Sequence, residues 1–264
     1  LENVDFTRLH SLLSSLAKRI GIENPNLLHA QDFYTADEYL GEDTDWSGMY
    51  VPSSNKSYIR SNQFASSGNY GKLGFLHTLI HESTHALARK ECDGSSINHD
   101  SGYSQLSEHM FKDWDSGYVR FLEYFDEAVT EKIARELLGA YIETEEKRSL
   151  YKVLSNAKTV RPFAYEEYVV FLEQFIDKIS EKTEVSKEVV WEGILNDYLQ
   201  GTNLFDPDME KAFEEVFYEG IIYELGSINK PSDLQLILDR IEESPQKGLL
   251  QKLSAKIKRS LEGI

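Results

Sequence analysis

The chain has 264 residues, of which 41% are hydrophobic and 12% aromatic, so it can bury a substantial core and wholesale disorder is excluded. Its 45 acidic residues outnumber its 28 basic ones and give a formal net charge of −17, which predicts no nucleic-acid partner because phosphate backbones are repelled. A single cysteine excludes an internal disulfide and no apolar run reaches the ~18 residues of a membrane span, so we expect a soluble protein, cytoplasmic or secreted.

The first half of the chain combines helical and strand-like patterns. Apolar residues at helical spacing predict three helices, over residues 5–21, 73–90 and 119–138. Short β-prone runs predict a strand and a hairpin between the first two helices, over residues 30–34, 47–51 and 57–60. Gly139 follows the third helix in the position of a C-terminal cap. This order predicts a small mixed sheet beside helices.

The second half of the chain shows helical spacing almost throughout. It predicts six further helices, near residues 143–156, 164–180, 185–200, 208–225, 232–242 and 246–261. Because no repeat and no long linker divides the chain, we place a soft boundary near residue 141. The predicted fold class is α+β, with a mixed N-terminal half and a helical C-terminal half.

The sharpest chemical signal is the pentapeptide HESTH at residues 81–85, inside the second predicted helix. In a chain of this composition the expected number of such pentapeptides is about 0.02, so chance is a poor explanation. Positions i and i+4 share one face of a helix, so the imidazoles of His81 and His85 can point at one metal ion. Glu82 then lies beside the ion without binding it, where it can take a proton from metal-bound water.

A catalytic zinc site needs a third protein ligand. The extended pattern with a later histidine fails, because Ala88 and Glu91 occupy the positions of its glycine and histidine. Cys92 follows the pentapeptide, which disfavours the upstream cysteine ligand found in peptide deformylases. The remaining solution is a glutamate from another helix, for which the stretch FDEAVTE at residues 125–131 is the best candidate.

The pentapeptide and this stretch together resemble the gluzincin branch of the zincin metallopeptidases, the thermolysin-like and aminopeptidase-like enzymes. The resemblance covers roughly residues 45–140. It implies that Glu127 is the third zinc ligand, and that Glu131, one turn later, orients a ligating histidine through its other ring nitrogen. Glu123 and Glu131 stay open as rival ligands, because Glu127 lies 42 residues after His85, farther than in thermolysin.

The resemblance also assigns a role to the predicted hairpin. In zincins the edge strand before the zinc helix pairs with the substrate backbone, so Gly48 and Met49 are expected to form main-chain hydrogen bonds with a peptide. Residues 1–141 would then be a zincin-like catalytic core with an N-terminal helix. Residues 142–264 would be a helical subdomain that completes the cleft.

Gluzincins stabilise the oxyanion of the transition state with a histidine or tyrosine from the C-terminal part of the chain. No histidine follows His109, so the candidates are Tyr141, Tyr151, Tyr165, Tyr168, Tyr198, Tyr218 and Tyr223. We favour Tyr165 and then Tyr168, because Pro162 breaks the chain just before them. His77, one turn before the pentapeptide, is expected either behind the ligands or facing solvent.

The leading hypothesis is a zinc-dependent peptidase, with Zn²⁺ as cofactor and a peptide or protein as substrate. Glu82 would deprotonate the zinc-bound water and then pass the proton to the leaving amine. Two alternatives stay open, namely a metal-binding protein without hydrolytic activity and a helical protein-interaction module whose histidines are incidental. The presence of Glu82, the residue usually lost in inactive relatives, favours the enzyme.

Overall fold

The computed structural model describes residues 4–35, 47–60, 68–89, 102, 122–142, 165–200, 211, 213–214, 217–228 and 231–243. Its helices are α1 (Phe6–Arg19), α2 (Gly68–Leu87), α3 (Glu123–Tyr141), α4 (Glu166–Thr183), α5 (Lys187–Gln200), α6 (Ile221–Gly226) and α7 (Pro231–Glu243). Its strands are β1 (Phe33–Thr35), β2 (Gly48–Val51) and β3 (Lys56–Ile59), and a short 3-10 helix spans Ala30–Asp32. The predicted α+β class is therefore confirmed. No helix within these ranges is long and apolar enough to cross a membrane.

The three strands form one mixed sheet with β3 in the middle. β3 pairs in parallel with β1 and antiparallel with β2, in the order β1-β3-β2. The predicted hairpin is thus confirmed, and its turn contains Asn55 at a φ of 53°, a left-handed conformation that asparagine tolerates. Tyr50 and Ile59 are buried on the face of the sheet that packs against α2.

The chain divides into two compact units, each built from two stretches: Leu1–Arg89 with Thr130–Ala164, and Lys90–Val129 with Tyr165–Ile264. In the first unit, α1 and the sheet pack against α2. The buried residues of α1, Leu9, Leu13, Leu16 and Ala17, recur at intervals of three or four residues, which places them on one face. The predicted amphipathic helix is therefore confirmed.

Helix α2 lies in the interior of the first unit. From His77 to Leu87 every side chain except that of His85 is buried. The buried hydroxyls of Ser83 and Thr84 donate hydrogen bonds to the carbonyls four residues earlier, at 2.7 and 2.9 Å, so they need no other partner. This helix therefore carries ionisable side chains into a protein interior, where each of them must be paired.

The second unit has an aromatic core around Phe175. The Phe175 side chain is fully buried and its ring lies 5.8 Å from that of Phe125 and 5.9 Å from that of Phe171. The rings of Phe213 and Phe217 lie 6.4 and 6.0 Å from it. Helix α4 packs against α5 and α7 in the same unit. Aromatic pairs at these separations contribute more than their buried area alone.

Some helix boundaries differ from the sequence prediction. Helix α3 continues past Gly139, because Arg8 donates a hydrogen bond to the carbonyl of Ala140 at 2.8 Å and the Tyr141 hydroxyl accepts one from the amide of Asp5 at 2.7 Å. Gly220, at a φ of 85°, interrupts the helix predicted over residues 208–225, so α6 begins only after it. The helices predicted near residues 143–156 and 246–261 lie outside the described residues.

Candidate metal centre

The two histidines of the pentapeptide lie on one face of α2, as their spacing predicts. The ring centroids of His81 and His85 are 4.9 Å apart and their planes meet at 73°. Glu82 follows His81 directly in sequence, and its side chain is buried. It leaves the helix on the face next to the one that the two histidines share. Two imidazoles thus converge next to a buried carboxylate that points in a different direction.

Helix α3 supplies the third group. One ligand atom each from His81, His85 and Glu127 lies within 4.8 Å of the other two. Ligands of a tetrahedral zinc site with bonds near 2.0–2.1 Å are about 3.3 Å apart, so these three atoms would have to approach one another to enclose an ion. Among the described residues this is the one group of three that could hold a metal, and Glu123 does not belong to it. Two imidazoles and one carboxylate are a donor combination that catalytic zinc sites use.

Glu131 lies one turn after Glu127 on the same uninterrupted helix and faces α2. Its Oε2 is 3.1 Å from Nδ1 of His81, and its Oε1 accepts a hydrogen bond from Nε of Arg135 at 2.7 Å. Burial by itself would raise the pKa of Glu131, but hydrogen bonds with His77 and His81 lower it to about 2. An ionised carboxylate only accepts hydrogen bonds, so His81 donates through Nδ1, and any metal would be bound through Nε2.

His77 is a further partner of Glu131. Its Nε2 lies 3.1 Å from Oε1 of Glu131, and only 7% of its side chain is exposed. The expectation that it faces solvent is therefore wrong, and the alternative that it lies behind the ligands describes its position. Burial lowers the pKa of His77, against the opposing effect of Glu131.

Thr130 is a neighbour of the site that the sequence reasoning missed. Its hydroxyl lies 3.5 Å from Nδ1 of His85, and the residue is fully buried. Thr130 could have been predicted from its position, because it lies three residues after Glu127 and therefore on nearly the same helix face. Arg135 was missed as well, although it lies four residues after Glu131. Both residues extend the face of α3 that meets α2.

Gly48 of β2 lies directly against Glu82. A Cβ atom at position 48 would be 2.7 Å from Oε1 of Glu82 and 2.6 Å from Cγ2 of Thr78. Any larger residue would therefore have to displace both of these side chains. The absence of a side chain at Gly48 provides the space in which the carboxylate of Glu82 lies.

The hydrogen-bonding pattern of the hairpin determines which residues present their main chain at the outer edge of β2. The amide of Arg60 donates to the carbonyl of Ser47 at 3.0 Å, and bonded and non-bonded pairs alternate along an antiparallel ladder. The main-chain groups of Met49 therefore point at β3, whereas those of Gly48 and Tyr50 point away from it. Tyr50 rather than Met49 therefore shares this edge with Gly48. The expected pair of residues with main-chain groups at the edge, Gly48 and Met49, becomes Gly48 and Tyr50.

The two favoured tyrosines lie at the start of α4. Tyr165 is the N-cap, at a φ of 63°, and its ring centroid is 5.6 Å from that of Tyr168. The ring of Tyr168 lies 4.9 Å from that of Tyr124, on α3. Burial, with smaller contributions from its neighbours including Glu127, raises the pKa of Tyr168 to about 12. Of the two, Tyr168 is thus the one whose pKa is influenced by Glu127, the candidate third ligand.

Other candidate tyrosines are engaged elsewhere. The hydroxyl of Tyr141 accepts a hydrogen bond from the amide of Asp5, and that of Tyr218 donates to Glu224 at 2.8 Å. Tyr198 is completely buried, Tyr223 is 69% exposed, and Tyr151 lies outside the described residues. Tyr165 and Tyr168 therefore stay the favoured candidates.

The site cannot be assigned by similarity. Comparisons of the chain with protein-family models, with curated proteins and with solved structures find no match. The only indication of its chemistry is therefore the arrangement of His81, His85 and Glu127 and of the described residues around them.

Proposed function

We propose that the protein is a zinc-dependent peptidase with a zincin-like core, in which His81, His85 and Glu127 hold the ion. The observation that carries the proposal is the convergence of these three ligand atoms within 4.8 Å, next to a buried glutamate. Two imidazoles and one carboxylate, with a fourth position left for water or substrate, are the donor set of catalytic zinc. When bound, zinc supplies a Lewis acid that polarises a carbonyl and lowers the pKa of water.

Glu82 is the general base of the proposed reaction. Its carboxylate accepts a proton from the attacking water and delivers it to the amine that leaves. Neighbouring residues on a helix point about 100° apart, so the side chain of Glu82 points in a different direction from that of His81. Glu82 is therefore proposed to transfer a proton and not to bind the ion. Contact with Gly48 restricts where its carboxylate can lie, which supports a fixed proton-transfer geometry.

The edge of β2 is the proposed binding surface for the substrate. Among the described strands, β2 pairs only with β3, so its other edge presents the main-chain groups of Gly48 and Tyr50. An extended peptide adds to such an edge by main-chain hydrogen bonds. The contact between Gly48 and Glu82 places this edge next to the proposed base, as cleavage of a bound peptide requires.

A tyrosine hydroxyl is the proposed donor to the oxyanion. The stacking of Tyr168 near Tyr124 of α3, and the effect of Glu127 on its pKa, support Tyr168 over Tyr165. A phenol with a raised pKa stays protonated at neutral pH and so keeps the hydrogen that it must donate.

The test combines metal analysis with peptide turnover. The wild-type chain should bind one zinc ion per molecule, lose activity on chelation and regain it with zinc, and cleave members of a proteome-derived peptide library. Glu82→Gln should keep the zinc and lose turnover by about 10²–10⁴-fold. Glu136→Gln, which alters a half-exposed glutamate paired with Lys132 on α3, is the matched control and should stay active.

Three results would count against the proposal in different ways. Absence of zinc binding would reject the metal centre and favour an interaction module. Zinc binding without cleavage of any peptide would favour a metal-binding protein that lacks hydrolytic activity. Unchanged turnover in Glu82→Gln would leave a peptidase but reject Glu82 as its base.

A further inference from the structure

Glu131 is held from two sides by histidines of the same helix. Nε2 of His77 lies 3.1 Å from its Oε1, and Nδ1 of His81 lies 3.1 Å from its Oε2. His77 and His81 are one turn apart on α2, and they use opposite ring nitrogens to reach the two oxygens of one carboxylate. The resemblance assigns no role to His77.

This arrangement fixes the plane of the Glu131 carboxylate. A carboxylate held at one oxygen can rotate about its terminal torsion, which is broad, whereas donors at both oxygens select one orientation. Arg135 also donates to Oε1, but it belongs to the same helix as Glu131 and 22% of its side chain is exposed. His77 is the buried imidazole on α2, the helix that carries the two ligating histidines. Its Nε2 lies at ion-pair distance from this oxygen, without the hydrogen-bond geometry that Nδ1 of His81 has toward Oε2.

We propose that His77 is a positioning residue of the metal centre, which acts through Glu131 to hold the ring of His81 with Nε2 directed at the ion. The inference rests on the proposed function, since it needs a metal at His81. His77 does not belong to the group of three described residues that could hold the ion, and its Nε2 lies 3.1 Å from Oε1 of Glu131. His77 therefore acts on Glu131, which in turn contacts the proposed metal ligand His81.

The experiment is a double-mutant cycle on zinc affinity, measured by competition with a chelating indicator. His77→Leu removes the imidazole beside Oε1 of Glu131 and should weaken zinc affinity about 10-fold, at the lower end of the range known for outer partners of metal ligands. Glu131→Ala should weaken it at least as much. Because His77 acts through Glu131, the double variant should bind zinc no more weakly than Glu131→Ala alone.

Two further variants separate positioning from a general effect on folding. His77→Gln keeps an N–H donor near the position of Nε2 and should restore most of the affinity. His10→Leu is the matched control, because Nε2 of this half-buried histidine lies 2.8 Å from the carbonyl of Leu28 in the same unit, and its loss should leave zinc affinity unchanged. If His77→Leu does not fold, His77→Asn replaces it, since its amide is too short to reach Glu131.

The outcomes of this experiment distinguish the two proposals. If wild-type protein binds no zinc, the proposed function is refuted and the role of His77 falls with it. If wild type and His77→Leu bind zinc with equal affinity, only the role of His77 is refuted. Additive losses in the double variant would show that His77 acts independently of Glu131, which would also overturn the inference.

Discussion

Replacement of Gly48 by alanine tests the placement of Glu82 without altering any proposed ligand. The added Cβ would lie 2.7 Å from Oε1 of Glu82. Ordinary nonbonded contacts are about 3.5 Å long, so this oxygen must retreat by roughly 0.8 Å. The same Cβ would lie 2.6 Å from Cγ2 of Thr78, so this methyl group must shift as well. The backbone of β2 is held by its ladder with β3, so these two side chains, and above all the flexible end of Glu82, are the parts that move.

The displacement can be converted into an expected rate. A misplacement of about 1 Å at a reacting group can lower the rate 10²-fold, so we expect Gly48→Ala to lower kcat by about 10- to 100-fold. That loss corresponds to roughly 1.4–2.7 kcal/mol of transition-state stabilisation. Zinc should remain stoichiometric, because the substitution acts on the base and not on the three ligands.

The assay is kcat for a peptide identified in the library screen, with zinc content measured on the same samples. Gly139→Ala is the matched control: a Cβ there has no atom within 4 Å, and the residue lies inside α3. It should raise the free energy of unfolding by about 0.5–1 kcal/mol and leave kcat unchanged. Combining Gly48→Ala with Thr78→Ser, which removes the second crowded atom, should recover part of the lost rate. A kcat within twofold of wild type in zinc-loaded Gly48→Ala would refute the proposed position of the base.

Three further sets of substitutions have distinct expected outcomes. Glu127→Ala should abolish stoichiometric zinc binding, whereas Glu131→Ala should weaken zinc affinity by about 10–100-fold; the reverse order, seen by metal competition, would exchange their roles. Tyr168→Phe should lower kcat by about 10²–10³-fold with zinc content unchanged, and equal kcat in Tyr168→Phe, Tyr165→Phe and wild type would remove both tyrosines from the mechanism. Tyr50→Phe deletes a 2.8 Å hydrogen bond to the turn of the hairpin and should lower the free energy of unfolding by about 1 kcal/mol, measured by denaturant titration; an unchanged midpoint would show that this bond contributes nothing.

Local patterns in the sequence were sufficient for much of the fold. The helix α1, the hairpin of β2 and β3 and the helix that carries the pentapeptide follow from apolar periodicity and turn residues, which act over a few neighbouring positions. The convergence of His81 and His85 is likewise local, because the helix itself determines the spacing of positions i and i+4. These features needed no knowledge of the rest of the chain.

The end of α3 shows where local reasoning fails. Gly139 has the character of a helix C-cap, but the helix continues to Tyr141 because Arg8 and Asp5, more than a hundred residues earlier, bind its last turn. A glycine costs only about 1 kcal/mol inside a helix, so such contacts can outweigh it. No window of sequence around Gly139 contains this information.

The candidate site likewise combines features that follow from local sequence with contacts between distant parts of the chain. The sequence by itself determined which residue types are available and placed two histidines and Glu82 on one helix. Only the tertiary structure decided that His77 turns inward to Glu131, that Gly48 lies against Glu82, and that Tyr50 rather than Met49 shares the outer edge of β2. Each of these is a contact between elements far apart in the chain, whose existence depends on how helices and strands pack. The periodicity of a helix or strand predicts which of its faces a side chain lies on, but only the packing of the elements determines what that face contacts.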